Sequence, residues 1–230
     1  MEFFDSLIKE ALEITQGLSE IEYNYNAESC WQDLGFNEVI LQRDTAFELD
    51  GVGFNLFTSA NVRDGVTVIG DELQRIKSNR RFARVTIVQL SDCDDEQEAY
   101  KLIKKADYVK YHYFPEGYMI RTTSRTLKES VRVAKSALKN GISFEKAGNL
   151  LIKKYKENPK IKGVKVIFIT NENADLKSLE DLAKKGSAIT EALNHIMNNV
   201  NFDCDTCNLK PVCDEVEGMK ELHFRNSKGM

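Results

Sequence analysis

Three of the five cysteines in this 230-residue chain lie within a ten-residue segment near its C-terminus. Cys204 and Cys207 are separated by two residues, and Cys213 follows after five more, one of which is Pro211. Two thiolates on one turn can reach the same zinc ion or iron–sulfur cluster, and five intervening residues can bring the third thiolate round. An odd number of cysteines, three of them clustered, is not the pattern of a secreted disulfide framework. The spacing therefore predicts a metal centre held by Cys204, Cys207 and Cys213.

The spacing alone leaves the identity of the metal open. A structural zinc site normally needs four protein ligands, so zinc would require a fourth from His223, Cys30 or Cys93. An iron–sulfur cluster could combine three cysteines with a distant or exogenous fourth ligand. The third interpretation is three reduced thiols without metal, which is disfavoured because closely spaced free thiols are prone to oxidation. A helix predicted to begin near Cys213 would direct backbone N–H groups towards an anionic centre.

A second feature that could support binding is the basic segment 121–165. It contains 13 Lys or Arg and three Asp or Glu, in a chain whose net charge is −4. Such segregation creates a local field that attracts an anionic ligand or an acidic protein surface. Neither G-x-x-x-x-G-K-(S/T) nor G-x-G-x-x-G occurs, so the segment has no glycine-rich phosphate loop of a known type. No recognisable nucleic-acid-binding module frames the charge either, which argues against nucleic acid as the partner.

The composition excludes several classes of protein. Hydrophobic residues make up 42% and charged residues 30%, as in an ordinary globular protein. No apolar run approaches the roughly 20 residues that span a bilayer. The N-terminus carries acidic residues early and lacks the basic start, apolar stretch and cleavage site of a signal peptide. We therefore expect a cytoplasmic protein that does not enter a membrane.

The elements that position these residues follow from apolar periodicity and turn signals. Helices are predicted at 1–17, 92–109, 126–140, 143–158 and 173–199. The second of these is predicted because the acidic residues of 92–96 favour the first turn of a helix. Strands are predicted at 38–42, 46–49, 54–58, 66–69, 84–90, 117–122 and 164–169. The helix at 126–140 rests on the capping-box spacing of Thr126 and Glu129, and it would place Lys128, Arg132 and further lysines on one face.

Strands and helices are mixed without strict alternation, which predicts an α+β fold: a mixed sheet, flanking helices and a short C-terminal cysteine-cluster segment. The predicted organisation is an N-terminal helical segment (1–35), an α+β domain (36–200) and a cysteine-cluster tail (201–230).

Six stretches, kept in the same order along the chain, resemble a known family. They are AFEL (46–49), DGVTVIGD (64–71), ADYVKYH (106–112), VRVAKSALKNG (131–141), FEKAG (144–148) and VKVIFIT (164–170). Together they resemble the central domain of acetyl-CoA synthase, the β subunit of the carbon monoxide dehydrogenase/acetyl-CoA synthase complex. The cysteine cluster falls where the active-site cysteines of that family begin.

This resemblance implies that Cys204 and Cys207 match the first two ligands of a 4Fe-4S cubane that the family bridges to nickel. Cys213 would match the third ligand, across a shorter gap than the family has. The cysteine–glycine–cysteine element that holds the outer nickel in the family does not occur in this sequence. We therefore expect a truncated, cluster-bearing relative with protein partners, in an accessory or electron-transfer role and not a complete acetyl-CoA synthase. The alternative is a zinc-stapled, non-catalytic interaction or regulatory module.

The resemblance also implies a ligand for the basic segment. The family's central domain is associated with coenzyme A binding through arginines near an aromatic residue. Arg121, Arg125 and Arg132 are the candidates here, with Tyr111 or Tyr113 as the aromatic side chain. The planar guanidinium suits phosphate because it offers paired donors. The alternative is a solvated basic helix face.

Overall fold

A seven-stranded mixed sheet forms the centre of the fold in the computed structural model, which describes residues 3–93, 95–123, 127–198, 207–216, 218, 219 and 222. The strands are β1 (Glu20–Asn24), β2 (Thr45–Thr58), β3 (Gly65–Ile69), β4 (Arg80–Leu90), β5 (Tyr118–Thr122), β6 (Lys128–Ala134) and β7 (Ile161–Ile169). Their order across the sheet is β1-β3-β7-β4-β2-β6-β5. Two neighbouring pairs, β2–β4 and β3–β7, are parallel, and the other pairs are antiparallel.

Helices cover both faces of this sheet. They are α1 (Asp5–Thr15), α2 (Glu96–Tyr108), α3 (Lys135–Lys139), α4 (Phe144–Lys156), α5 (Leu176–Met197) and α6 (Lys210–Glu215). Gly148 of α4 lies against the side chains of Val66 and Phe168, whereas Gly186 of α5 lies against Leu56. The strand register places Leu56 on the opposite face from Phe168, because successive residues of a strand alternate between faces. The fold is therefore a three-layer arrangement that confirms the predicted α+β class with a mixed sheet and flanking helices.

The prediction of a helix at 126–140 is wrong for the first half of this segment. Residues Lys128–Ala134 form β6, which pairs with both β2 and β5, and only Lys135–Lys139 are helical. Glu129, Val131 and Val133 are buried, while the residues between them are more exposed, which is the two-residue period of a strand. The capping-box spacing gave a wrong prediction because the Glu129 side chain turns into the core instead of capping a helix. Pairing with two neighbouring strands outweighed the local helical signal.

Two further expectations about local structure also change. The strand predicted at 38–42 is not formed; this stretch runs beside the edge strand β5 and contacts it through side chains. Asn37 donates to the carbonyl of Ile120 (3.1 Å), and the backbone N–H of Gly117 donates to Glu38 (2.8 Å). Strand β1 was not predicted, because its pattern of exposure leaves few apolar residues to signal a strand. Such edge positions depend on their neighbours more than on their own sequence.

The helices of the described residues include none that is both long and apolar enough to cross a membrane. The proposed division at 1–35, 36–200 and 201–230 stays a prediction.

Candidate functional site

The arginines predicted to bind an anionic ligand lie at one end of the sheet. Arg121 is on β5 opposite Ser130, and Arg132 is on β6 opposite Met119, so both project from the same face of this hairpin. They line an open cleft of about 520 Å³ across β2, β4, β5 and β6. We call it the arginine cleft, and its charged lining consists of Arg80, Arg81, Arg121, Lys128, Arg132, Glu48 and Asp50. The structure therefore brings Arg121 and Arg132 together, on strands and not on a helix.

Most of the cations in the arginine cleft are already paired. Arg132 donates through Nε to Glu48 (2.7 Å) and through Nη1 to the carbonyl of Ile40 (3.3 Å). Lys128 pairs with Asp50 at 3.0 Å. Arg80 and Arg81 pair with carboxylates outside the cleft lining, those of Asp71 and Glu180 respectively, each at 2.7 Å. These bonds hold the basic side chains in place. The lining of the cleft contains five cationic and two anionic side chains, so its net charge is positive.

Arg121 differs from its neighbours. Its side chain is exposed, and within the described residues no carboxylate pairs with it. An unpaired guanidinium at the rim of a basic cleft can accept an anionic oxygen without first giving up a partner. Arg121 is therefore the side chain of the cleft that is most available to a ligand.

The two tyrosines of the predicted arginine site, Tyr111 and Tyr113, do not line the arginine cleft. Arg125 lies outside the described residues. Tyr113 is buried and donates its hydroxyl to the carbonyl of Ala147 in α4 (2.8 Å), on the other face of the sheet. Tyr111 lines a different cavity, beside α2. Neither tyrosine supplies the aromatic neighbour expected for the arginines.

Of the predicted metal ligands, Cys207 and Cys213 can be placed, and Cys204 lies outside the described residues, as does His223. Helix α6 begins at Lys210, so Cys213 lies inside it and not at its start; its backbone N–H donates to the carbonyl of Leu209 (3.1 Å). The backbone N–H groups expected to face a metal centre from the start of a helix at Cys213 are therefore not provided there. Both thiols are half-buried against the core and neither is in a disulfide.

The two other candidates for a fourth ligand belong to separate parts of the fold. Cys93 follows the end of β4, and its thiol donates to the carbonyl of Ser91 (3.4 Å). Cys30 precedes Trp31, whose backbone N–H is bonded to α4, and burial raises the pKa of the Cys30 thiol. Among the described residues no group of three Cys, His, Asp or Glu could hold a metal ion. The donor chemistry at Cys207 and Cys213, two half-buried reduced thiols on a short segment, fits a thiolate-bound zinc ion or iron–sulfur cluster.

Sequence reasoning missed a buried ion pair on the face of the sheet opposite the arginine cleft. The Arg84 guanidinium donates to both carboxylate oxygens of Glu129, at 2.8 and 2.6 Å, and the two side chains are 1% and 0% exposed. Arg84 also donates to the hydroxyl of Thr86 at 2.6 Å. Burial opposes ionisation of Arg84, but the Glu129 carboxylate outweighs this effect and holds the pKa of Arg84 above its usual value.

The sequence does carry one sign of this ion pair. Gly53 lies on β2 between the two charged residues, and a Cβ there would lie only 2.0 Å from Glu129 Oε2. A glycine inside a strand can mark a position where another group approaches the backbone closely.

Comparison with known proteins gives one family match. The sequence model of a family described as the CO dehydrogenase/acetyl-CoA synthase complex beta subunit matches residues 24–174, about two thirds of the chain. The matched region contains every residue that lines the arginine cleft, and it ends before the cysteine cluster. No curated protein matches the sequence significantly.

Proposed function

Because the chain belongs to the family of the CO dehydrogenase/acetyl-CoA synthase complex beta subunit, we propose that it binds coenzyme A in the arginine cleft. We also propose that Cys204, Cys207 and Cys213 hold a 4Fe-4S cluster. The proposed role is an accessory or electron-transfer one in acetyl-CoA metabolism, together with other protein subunits. The observation that carries the proposal is the convergence of Arg121 and Arg132 on one open cleft.

The charge and size of the arginine cleft support the coenzyme. Coenzyme A carries a diphosphate and a ribose phosphate, and guanidinium groups bind such oxygens with paired hydrogen bonds. The cleft volume of about 520 Å³ lies within the roughly 300–1,000 Å³ of small-molecule sites. Arg121 would bind phosphate directly, since it has no competing carboxylate among the described residues. Arg132 is paired with Glu48 and donates to the carbonyl of Ile40, so a phosphate would have to compete with Glu48 for its guanidinium.

Calorimetric titration of the full chain with coenzyme A tests this part. We expect saturable binding of coenzyme A that weakens as the salt concentration rises, because exposed charge pairs are screened. Pantetheine, which lacks the nucleotide, should bind more weakly than coenzyme A. Arg121→Lys should lower the affinity about threefold to tenfold, because a lysine keeps the charge but loses the paired donors. Arg75→Lys, an exposed arginine outside the cleft lining, is the matched control. Equal binding of pantetheine and coenzyme A would contradict a phosphate-binding cleft.

The thiol chemistry of Cys207 and Cys213 and the sequence position of Cys204 support the metal centre. A 4Fe-4S cluster, when bound, supplies one-electron transfer. The protein's part would be to ligate it with thiolates and to shield it by the half-buried packing of these side chains.

Anaerobic purification followed by iron, sulfide, zinc and nickel analysis identifies the metal. We expect iron and sulfide in the native chain, their loss in Cys204→Ser and Cys207→Ser, and their retention in Cys93→Ser. About one equivalent of zinc without iron would contradict the cluster and support the zinc-stapled module. Equal metal loss in all three variants would mean that the site is built across the fold.

A further inference from the structure

A groove separate from the arginine cleft lies between helices α2 and α5. It has a volume of about 330 Å³, and the two helices line it with side chains at helical spacing. Tyr100, Lys104 and Asp107 face it from α2, with Lys110 just beyond, and a stripe from Ala183 to Asn194 faces it from α5. The hydroxyl of Tyr100 donates to Asn194, which joins the two walls. We call it the interhelical groove.

The second half of β2 lines the floor of the interhelical groove, through Phe54, Asn55 and Phe57. Strand β4 pairs with β2 as far as Thr58, and within the described residues β6 pairs with it as far as Val52. The Gly53 N–H donates to the carbonyl of Leu127 (3.3 Å), a residue that also lines the groove. The floor is therefore built from apolar side chains and the amide of Asn55.

The charged groups of the groove are balanced in number. Lys110 is 5% exposed and pairs with Asp107 Oδ1 at 2.8 Å, and the amide of Asn55 donates to the same oxygen at 2.9 Å. The second carboxylate oxygen of Asp107 has no hydrogen bond within the described residues. Lys104 and Glu191, both exposed, stand at the rim on opposite walls. The groove thus presents two cations and two anions around a partly apolar floor.

We propose that the interhelical groove binds a small zwitterion of amino-acid size, with its carboxylate near Lys104 and its ammonium group near Glu191 and Asp107. The volume lies at the lower end of the roughly 300–1,000 Å³ found for small-molecule pockets, as suits a ligand of amino-acid size. The balanced charge disfavours phosphate, for which a surplus of cations would be needed. The polar side chains of Ser187, Thr190 and Asn194, which also line the groove, supply the remaining partners of a carboxylate and an ammonium group.

Titration of the full chain with a panel of α-amino acids tests the proposal, followed by the N-acetyl derivative and the amide of the tightest ligand. We expect at least one amino acid to bind, and each derivative, which lacks one charge, to bind about tenfold more weakly. No saturable binding at about 10 mM of any amino acid, well above a dissociation constant of 1 mM, would refute the proposal. Equal binding of the N-acetyl derivative would show a simple anion site and would also refute it.

Three variants locate the binding in the groove. Lys104→Met and Glu191→Gln should each weaken binding about fivefold, as expected for partly exposed charges. Ser187→Phe should abolish it, because the added ring fills the groove from an exposed position. Lys101→Met is the matched control, since Lys101 is exposed on α2 but does not line the groove. Unchanged affinity in the two charge variants, with the fold verified by thermal unfolding, would overturn the assignment.

Discussion

Replacing Glu129 by Gln tests how much the buried ion pair contributes to the fold. The variant keeps the size of the side chain but leaves the Arg84 guanidinium buried without its counter-charge, since the two side chains are 1% and 0% exposed. Breaking such a pair from one side costs about 3–5 kcal/mol. For a chain of this size each kcal/mol lowers Tm by about 2–4 °C, so we expect a fall of roughly 6–20 °C.

The double variant Arg84→Met with Glu129→Leu should be more stable than Glu129→Gln alone, because no uncompensated charge remains buried. Urea unfolding followed by circular dichroism gives both free energies, and an unchanged slope would show that the unfolded state is comparable. Lys177→Met is the control: its pair with Asp181 is 69% and 51% exposed, so its loss should change the stability much less. If Glu129→Gln costs no more than this control, the ion pair is not the constraint that its geometry indicates.

Three further predictions concern packing, pH and metal. Gly53→Ala should destabilise the protein by about 1–3 kcal/mol, because its Cβ would lie 2.0 Å from Glu129 Oε2. Gly186→Ala should instead stabilise helix α5 by up to about 1 kcal/mol, because the nearest atom, on Leu56, would be 3.6 Å away. Chemical denaturation of the two variants measures both effects. Burial raises the pKa of Glu72 above its ordinary 4.5, so the folded state binds the proton more tightly than the unfolded state. The stability that this proton contributes is complete below pH 4.5 and is lost as pH rises through the folded pKa, and Glu72→Gln should remove the dependence from a pH series of urea unfolding curves. Removing the metal with a chelator should increase amide hydrogen exchange in α6 and leave β4 protected, and equal loss of protection in both would contradict a locally built site.

The central strands and several helices could be predicted from sequence because their signals are local. Strands β4 and β7 are rich in apolar residues, and most of their residues are buried on both faces of the sheet. Helix α4 follows Ser143, whose hydroxyl accepts from the Lys146 N–H, and it ends before Pro159. The acidic segment 92–96 was interpreted as the first turn of a helix, and α2 begins at its last residue, Glu96, with Asp95 as the cap.

The residues around Glu129 could not be placed in the same way. Its partner Arg84 is 45 residues away, and the strands that enclose it come from three separate stretches of sequence. A capping-box pattern and a strand with alternating burial are both compatible with these residues until the pairing is known. The same dependence applies to the candidate ligand site. The arginines were selected by resemblance, and only the register of the β5–β6 hairpin brings Arg121 and Arg132 to one face.

The position of Glu48 in the arginine cleft predicts that replacing it raises the affinity for coenzyme A, whereas replacing Arg121 lowers that affinity. Its carboxylate pairs with Arg132 at 2.7 Å, and both side chains are about one third exposed. A phosphate must therefore compete with Glu48 for Arg132 and also approach the negative charge of Glu48 itself. Glu48→Gln should remove both costs and raise the affinity for coenzyme A by roughly threefold to tenfold, since a partly exposed charge interaction is worth on the order of 1 kcal/mol.

The gain for Glu48→Gln should shrink at high salt, because screening weakens the same repulsion. Glu20→Gln provides the control: Glu20 is exposed on β1, at the other edge of the sheet, and changes the net charge equally. Calorimetric titration of the two variants at low and high salt separates a local effect from a general one. A gain of the same size in Glu20→Gln would mean that only net charge matters, and a loss of affinity in Glu48→Gln would mean that Glu48 positions Arg132 for the ligand instead of competing with it.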